Sequence, residues 1–153
     1  MLQLIVFRLG DEEYALEISQ IKEVVPTPGI AKVPLMPHYI EGVANIRGSV
    51  LAIVDLEKRF GLESANQGHN AKKPYTLVIE GEDLSLGFLV REVPNTLSVP
   101  ETNIDSSSNL IYDNATEKNY IRGIVKHGER LIILLDIMLI IAKNDVQTAI
   151  NIL

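Results

Sequence analysis

Short apolar runs alternate with polar punctuation along most of the chain, and in four places two such runs flank a turn-forming cluster. Gln3–Leu9 and Tyr14–Ile18 flank Gly10-Asp11-Glu12-Glu13, and Gly42–Ile46 and Ser49–Asp55 flank Arg47-Gly48. Tyr75–Glu80 and Leu84–Val90 flank Gly81-Glu82-Asp83, while Ile121–Lys126 and Leu131–Asp136 flank His127-Gly128-Glu129-Arg130. Runs of Val, Ile and Leu bounded by Gly, Asp and Asn are strand signals, so each pair predicts a β-hairpin. Several hairpins in one small chain predict an all-β barrel or sandwich. Helical signals are few. Ser19 can cap one turn through Lys22, and Asp55 and Asp136 each stand where a strand hands over to a short helix. Asp145 is a candidate N-cap for 146–153, where Val146, Ala149, Ile150 and Leu153 form a helical stripe that must dock on the body. Two polar stretches, 63–73 and 101–119, read as a linker and a long loop.

The chain also resembles itself. Tyr39-Ile40-Glu41-Gly42-Val43 matches Tyr120-Ile121-Arg122-Gly123-Ile124, and the same offset of 81 pairs Val54-Asp55-Leu56 with Leu135-Asp136-Ile137. Upstream, the turn glycines Gly10 and Gly81 pair at an offset of 71, so the second copy carries ten more residues, placed in 101–119. This predicts a duplicated β unit, each copy closing into a small barrel that hides its edges. At one point the copies differ: Arg47-Gly48 faces Gly128-Glu129. A hairpin turn needs glycine and has no need of arginine, so the guanidinium points to a task of the first copy alone.

Composition narrows the chemistry. The 153 residues suffice for one domain with a real core, and 46% hydrophobic with 22% charged residues is a globular balance. Without cysteine there are no disulfides, thiolate metal sites or thiol nucleophiles. His38, His69 and His127 are scattered with no ligand spacing, so no metal is expected. Ser106-Ser107-Ser108 lacks a nucleophile elbow, no glycine-rich phosphate loop is present, and the carboxylates at 11–13 and 80–83 sit in or beside turns. We therefore expect no enzyme and no cofactor. Fourteen basic against twenty acidic residues give a net charge of −6. That disfavours the alternative reading, a small-barrel nucleic-acid binder, which needs a basic strip with exposed aromatics. The most apolar run, Leu131–Ala142, is interrupted by Asp136 and falls short of the roughly 20 residues of a membrane span. With no basic leader at the start, a cytoplasmic protein is expected.

At this point a family becomes recognisable. Leu9-Gly10-Asp11-Glu12-Glu13-Tyr14-Ala15-Leu16-Glu17-Ile18, then Ile21-Lys22-Glu23-Val24, resembles the opening of the CheW family. Pro34, Pro37 and Tyr39 through Gly48, then Val54-Asp55-Leu56, resemble its most diagnostic stretch; Gly87, Val90, Val93, Ile121-Arg122-Gly123 and Leu135-Asp136-Ile137 are similar to its second half. The resemblance implies two intertwined five-stranded, SH3-like β-barrels in a single domain over 1–153. Its approximate subdomains are 3–62 and 74–142, with the linker at 63–73 and the helix at 145–153. It also implies a non-catalytic adaptor between the cytoplasmic tips of methyl-accepting chemoreceptors and the regulatory domain of the histidine kinase CheA. The adaptor would be recruited to membrane-associated arrays without inserting into the membrane.

Site residues follow from the same resemblance. Arg47 matches the arginine implicated in receptor coupling and kinase control, with an internal salt bridge as the alternative. Ile21, Glu23 and Gly42 match positions linked to kinase binding. On a strand Ile21 and Glu23 would share a face, although core packing for Ile21 and plain solvation for Glu23 remain open. For Gly42 the duplicate Gly123 favours a backbone role. Ile18, Val24, Leu86, Leu89, Val90 and Val93 are candidates for an apolar groove that receives a receptor helix, or else for core.

Overall fold

In the computed structural model, which describes residues 1–62, 74–80, 85–106 and 120–136, the four turn-flanked runs form antiparallel hairpins. They are β1 (Leu2–Leu9) with β2 (Glu12–Glu17), β4 (Ile40–Ile46) with β5 (Ser49–Asp55), β6 (Tyr75–Glu80) with β7 (Ser85–Val90), and β10 (Ile121–His127) with β11 (Arg130–Leu135). Three short strands join them: β3 (Glu23–Pro26), β8 (Asn95–Val99) and β9 (Ile104–Asp105). Single 3-10 turns lie at Ile18–Gln20 and Glu101–Asn103, and one four-residue helix, α1 (Leu56–Arg59), follows β5. Asp55 caps α1 as expected, accepting from the Lys58 N–H at 3.3 Å. The linker at 63–73 and the helix expected at 145–153 lie outside the described residues.

The strands form two sheets, in the orders β8-β1-β2-β11-β10-β9 and β3-β6-β7-β5-β4. Each closes on itself by bending one strand around a corner. In the first sheet β8 pairs with β1, the chain turns through Glu101–Asn103, and β9 pairs with β10. In the second, β3 pairs with β6, and a little further on Ala31 bridges to Val43 of β4. Counting β8 and β9 as one bent strand, each barrel has five strands.

The barrels do not divide the chain at 63–73. The first hairpin of each copy joins the second hairpin of the other, so β2 runs parallel to β11 (Tyr14 opposite Ile133) and β5 parallel to β7 (Ile53 opposite Gly87). Barrel B is thus built from strands within 23–90, and barrel A from strands within 2–17 and 95–135. This replaces the ranges 3–62 and 74–142 and the expectation that each copy closes alone. The duplication itself holds down to single hydrogen bonds. The Asp55 N–H donates to the Tyr39 carbonyl at 2.8 Å and the Asp136 N–H to the Tyr120 carbonyl at 2.8 Å. The ladders slip at Ile40/Gly42 and again at Ile121/Gly123.

Three cores result. Leu4, Val6, Ala15, Val99, Val125, Ile132 and Leu134 fill barrel A. Ala44, Ile46, Leu51, Ile53, Val78 and Leu89 fill barrel B. The largest lies between the barrels, where Ile5, Phe7, Leu16, Leu77, Leu86, Phe88 and Val90 meet. Strands such as β7 (SLGFLV) are therefore buried on both faces, which is why they read as continuous apolar runs and lack a polar alternation.

Barrel A carries an ion pair across its parallel seam. Arg130 donates from Nε and Nη2 to the two Glu13 carboxylate oxygens at 2.9 and 2.7 Å. Hydrogen bonding to that guanidinium holds the Glu13 carboxyl below its ordinary 4.5, against the opposing pull of burial. A lowered carboxylate contributes stability above the ordinary glutamate range and loses it as pH falls through the lowered value. Arg130 is half exposed, so solvent screening limits the pair to about 0.5–1 kcal/mol. Glu13→Gln is expected to lower the urea-unfolding free energy by that amount at neutral pH and by nothing in strong acid.

Candidate partner-binding surface

Arg47 and Gly48 form the two-residue turn between β4 and β5, at φ +52° and +84°. Two positive φ values are the signature of the type I′ turn that suits strand twist, and Asn45 Oδ1 braces it by accepting from the Gly48 N–H at 3.0 Å. The duplicate of Arg47 is Gly128, also left-handed at φ +63°. An arginine there costs about 1 kcal/mol of backbone strain that glycine avoids. Its side chain is 73% exposed and donates from Nε to Glu23 Oε1 at 2.5 Å. No other hydrogen bond of Arg47 occurs among the described residues, so the terminal nitrogens of the fork face solvent. Lys22 pairs beside it with Glu80 at 2.7 Å. These four alternating charges, with Ile46, Leu51 and Val78 beneath, border a dimple of about 60 Å³. That is room for one side-chain tip. Glu23 thus ties β3 at one end of the sheet order to the β4–β5 turn at the other, while aiming a guanidinium outward.

The other expected site residues fall into separate places. Ile21 is not on a strand. It follows the 3-10 turn before β3 with extended backbone and packs half-buried on the inter-barrel core, whereas Glu23 borders the dimple beside Arg47. Gly42 is buried at φ +145°, and a Cβ there would come within 2.1 Å of the Ala31 carbonyl oxygen. Its duplicate Gly123 is likewise crossed, by β9, where a Cβ would meet Ile104 at 2.9 Å. Both glycines let the closing strand pass over the barrel, so a backbone requirement accounts for them.

Of the groove candidates, Leu86, Leu89 and Val90 are fully buried and cannot line a surface groove. Leu86 and Val90 point to the inter-barrel core and Leu89 into barrel B. Ile18 and Val24 are half-buried against the inter-barrel core, and Val93 is 55% exposed. Ile18 borders an apolar notch of about 340 Å³ with Leu2, Gln3, Glu17 and Ser19. Ile18 and Val93 lie on the two chain segments, 18–22 and 91–94, by which the chain passes from A to B and back.

Sequence reading missed a buried ionic cluster. Asp55 and Glu57 are 0% and 3% exposed. Arg91, just past β7, donates from Nη2 to Asp55 Oδ2 and from Nε to Glu57 Oε1 at 3.3 Å. The other Glu57 oxygen accepts the Gly10 N–H at 3.1 Å, reaching the β1–β2 turn of barrel A. Burial pushes the Asp55 carboxyl above the ordinary aspartate range, with the Arg91 charge and the Lys58 N–H pulling the other way. The only trace in the sequence is an asymmetry: the duplicate of Glu57 is Met138.

Among the described residues, no group of three or more His, Asp or Glu side chains is placed to hold a metal ion. No helix among them is long and apolar enough to cross a membrane. His38 is exposed, edge-on to Tyr39, and His127 is half-buried at the end of β10. Comparison with known proteins gives one consistent result. The CheW-like domain family model matches residues 3–145. The chain is 34% identical over 144 residues to the chemotaxis protein CheW of Helicobacter pylori, covering 94% of this chain and 84% of that protein. It is 29% identical over 150 residues to the chemotaxis protein CheW of Treponema pallidum, covering 97% and 87%. The crystal structure of the scaffolding protein TtCheW from Thermoanaerobacter tengcongensis superposes with a TM-score of 0.76 at 28% identity, covering 94% of this chain and 90% of that one.

Proposed function

The chain belongs to the CheW family, whose members are non-enzymatic scaffolds, and from that premise we propose that it couples chemoreceptor tips to a CheA-type histidine kinase in the cytoplasm. The observation that carries this reading is Arg47. A strained, exposed arginine occupies a turn whose duplicate uses glycine, and Glu23 holds it with its donor face outward. A planar fork of that kind suits a carboxylate or the carbonyls at a helix end on a partner.

In this reading Arg47 and Glu23 form the working surface of barrel B, toward the kinase regulatory domain and its receptor control. Ile18, Val24 and Val93 contribute the apolar approach to the receptor's helical tip, and Ile18 does so at the notch it borders with Leu2. Two modest interfaces gain strength when many copies are arrayed together, because each tether raises the effective concentration for the next contact. The nucleic-acid alternative is not favoured by a net charge of −6.

Calorimetric titration of a CheA regulatory domain into the protein tests the reading. Saturable binding in the micromolar range is expected, weakened by Glu23→Lys, which opposes Arg47 with a like charge. An absence of binding at high concentration, with both proteins folded, refutes the kinase half of the proposal.

A further inference from the structure

The two barrels touch chiefly through apolar side chains, whose attraction is non-directional. Directional contacts between them are therefore informative. The Glu57 carboxylate makes one: it sits on α1 of barrel B, accepts the Gly10 N–H from the first turn of barrel A, and holds Arg91. Arg91 opens the segment that carries the chain from B back to A, and its second contact is the buried Asp55. One buried carboxylate thus binds barrel A's turn, barrel B's helix and the crossover together. A hydrophobic residue would have packed that space with no desolvation penalty, and the second copy has methionine at the matching position.

We infer that Glu57 and Arg91 act as a latch that sets the angle between the barrels, which makes them positioning residues for any partner that touches both. The apolar core supplies cohesion and the latch supplies direction. A guanidinium fixed on two carboxylates and a carboxylate fixed on a backbone N–H define an orientation to within hydrogen-bond geometry. The inference rests on these contacts and does not require the adaptor reading.

The absence of cysteine makes the test clean, because introduced cysteines are the only sites for labels. Spin labels at Thr96→Cys on β8 and Val50→Cys on β5 report the distance between barrels. Labels at Thr96→Cys and Lys126→Cys on β10 report within barrel A. With Glu57→Met the inter-barrel distance distribution is expected to widen about twofold while the distribution within A keeps its width. Glu57→Gln keeps an acceptor for Gly10 but loses the charge on Arg91, so it is expected to widen the inter-barrel distribution by less. If the methionine variant fails to fold, the glutamine variant alone must still widen it. An unchanged inter-barrel width overturns the inference. So does equal widening within barrel A, which makes Glu57 a general support of the fold and not a latch.

Discussion

Replacing Arg47 with glycine is expected to leave the fold standing while removing receptor-coupled control of the kinase. Three terms enter stability. Relief of left-handed strain is worth about 1 kcal/mol, the added chain entropy of glycine costs about 0.5–1 kcal/mol, and the lost exposed ion pair costs about 0–1 kcal/mol. They cancel to within about 1 kcal/mol, and thermal unfolding checks this. The functional term does not cancel. An arginine anchor at the centre of a small interface is worth about 2 kcal/mol, so coupling affinity should fall about thirtyfold. Glycine is a better replacement than alanine because the duplicate Gly128 already occupies the same conformation at φ +63°. Kinase activity reconstituted with receptor, measured with both proteins, reads the outcome. Unchanged coupling would reduce Arg47 to an internal clamp on Glu23; a collapsed fold would make it structural.

Gly42→Ala is expected to behave in the opposite way. The added methyl meets the Ala31 carbonyl oxygen at 2.1 Å, and φ +145° is a region that only glycine occupies comfortably. Strain and the clash together cost about 3–5 kcal/mol, a large part of a typical stability of about 5–15 kcal/mol. The melting temperature should fall by about 10 °C. Gly48→Ala is the control: its φ is +84°, but no atom stands within 4 Å, so only the backbone term applies, about 1 kcal/mol. Loss of kinase binding by Gly42→Ala should follow loss of folded protein. A variant as stable as the parent that still fails to bind would return Gly42 to the interface.

Much of this was legible in the sequence, for reasons that differ by residue. The hairpins were visible because turn chemistry is local: Gly10, Arg47-Gly48 and Gly128 stand where the strands reverse. Arg47 stood out because duplication supplied a built-in comparison with Gly128. The exchange of hairpins left no mark, since the pairing of Tyr14 with Ile133 depends on no neighbour of either residue. The groove assignment failed at Leu86, Leu89 and Val90 because a strand between two cores has no polar face to give its orientation away. Asp55, Glu57 and Arg91 were invisible as a unit, because the crossover after β7 alone brings the arginine to the two carboxylates.

The exchanged hairpins also order events during synthesis. Every described strand of barrel B is complete by Val90, whereas barrel A begins with β1, made before any of them, and ends with β11 at Leu135. At roughly 10 residues per second, β2 leaves the ribosome about 10 s before its ladder partner β11. During that interval the β1–β2 hairpin carries an open edge, the kind of edge to which another nascent strand can add. The insertion folds while its host waits. The β1–β2 hairpin is translated before barrel B yet enclosed after it, and it is where a stalled or crowded chain would exchange strands with its neighbour.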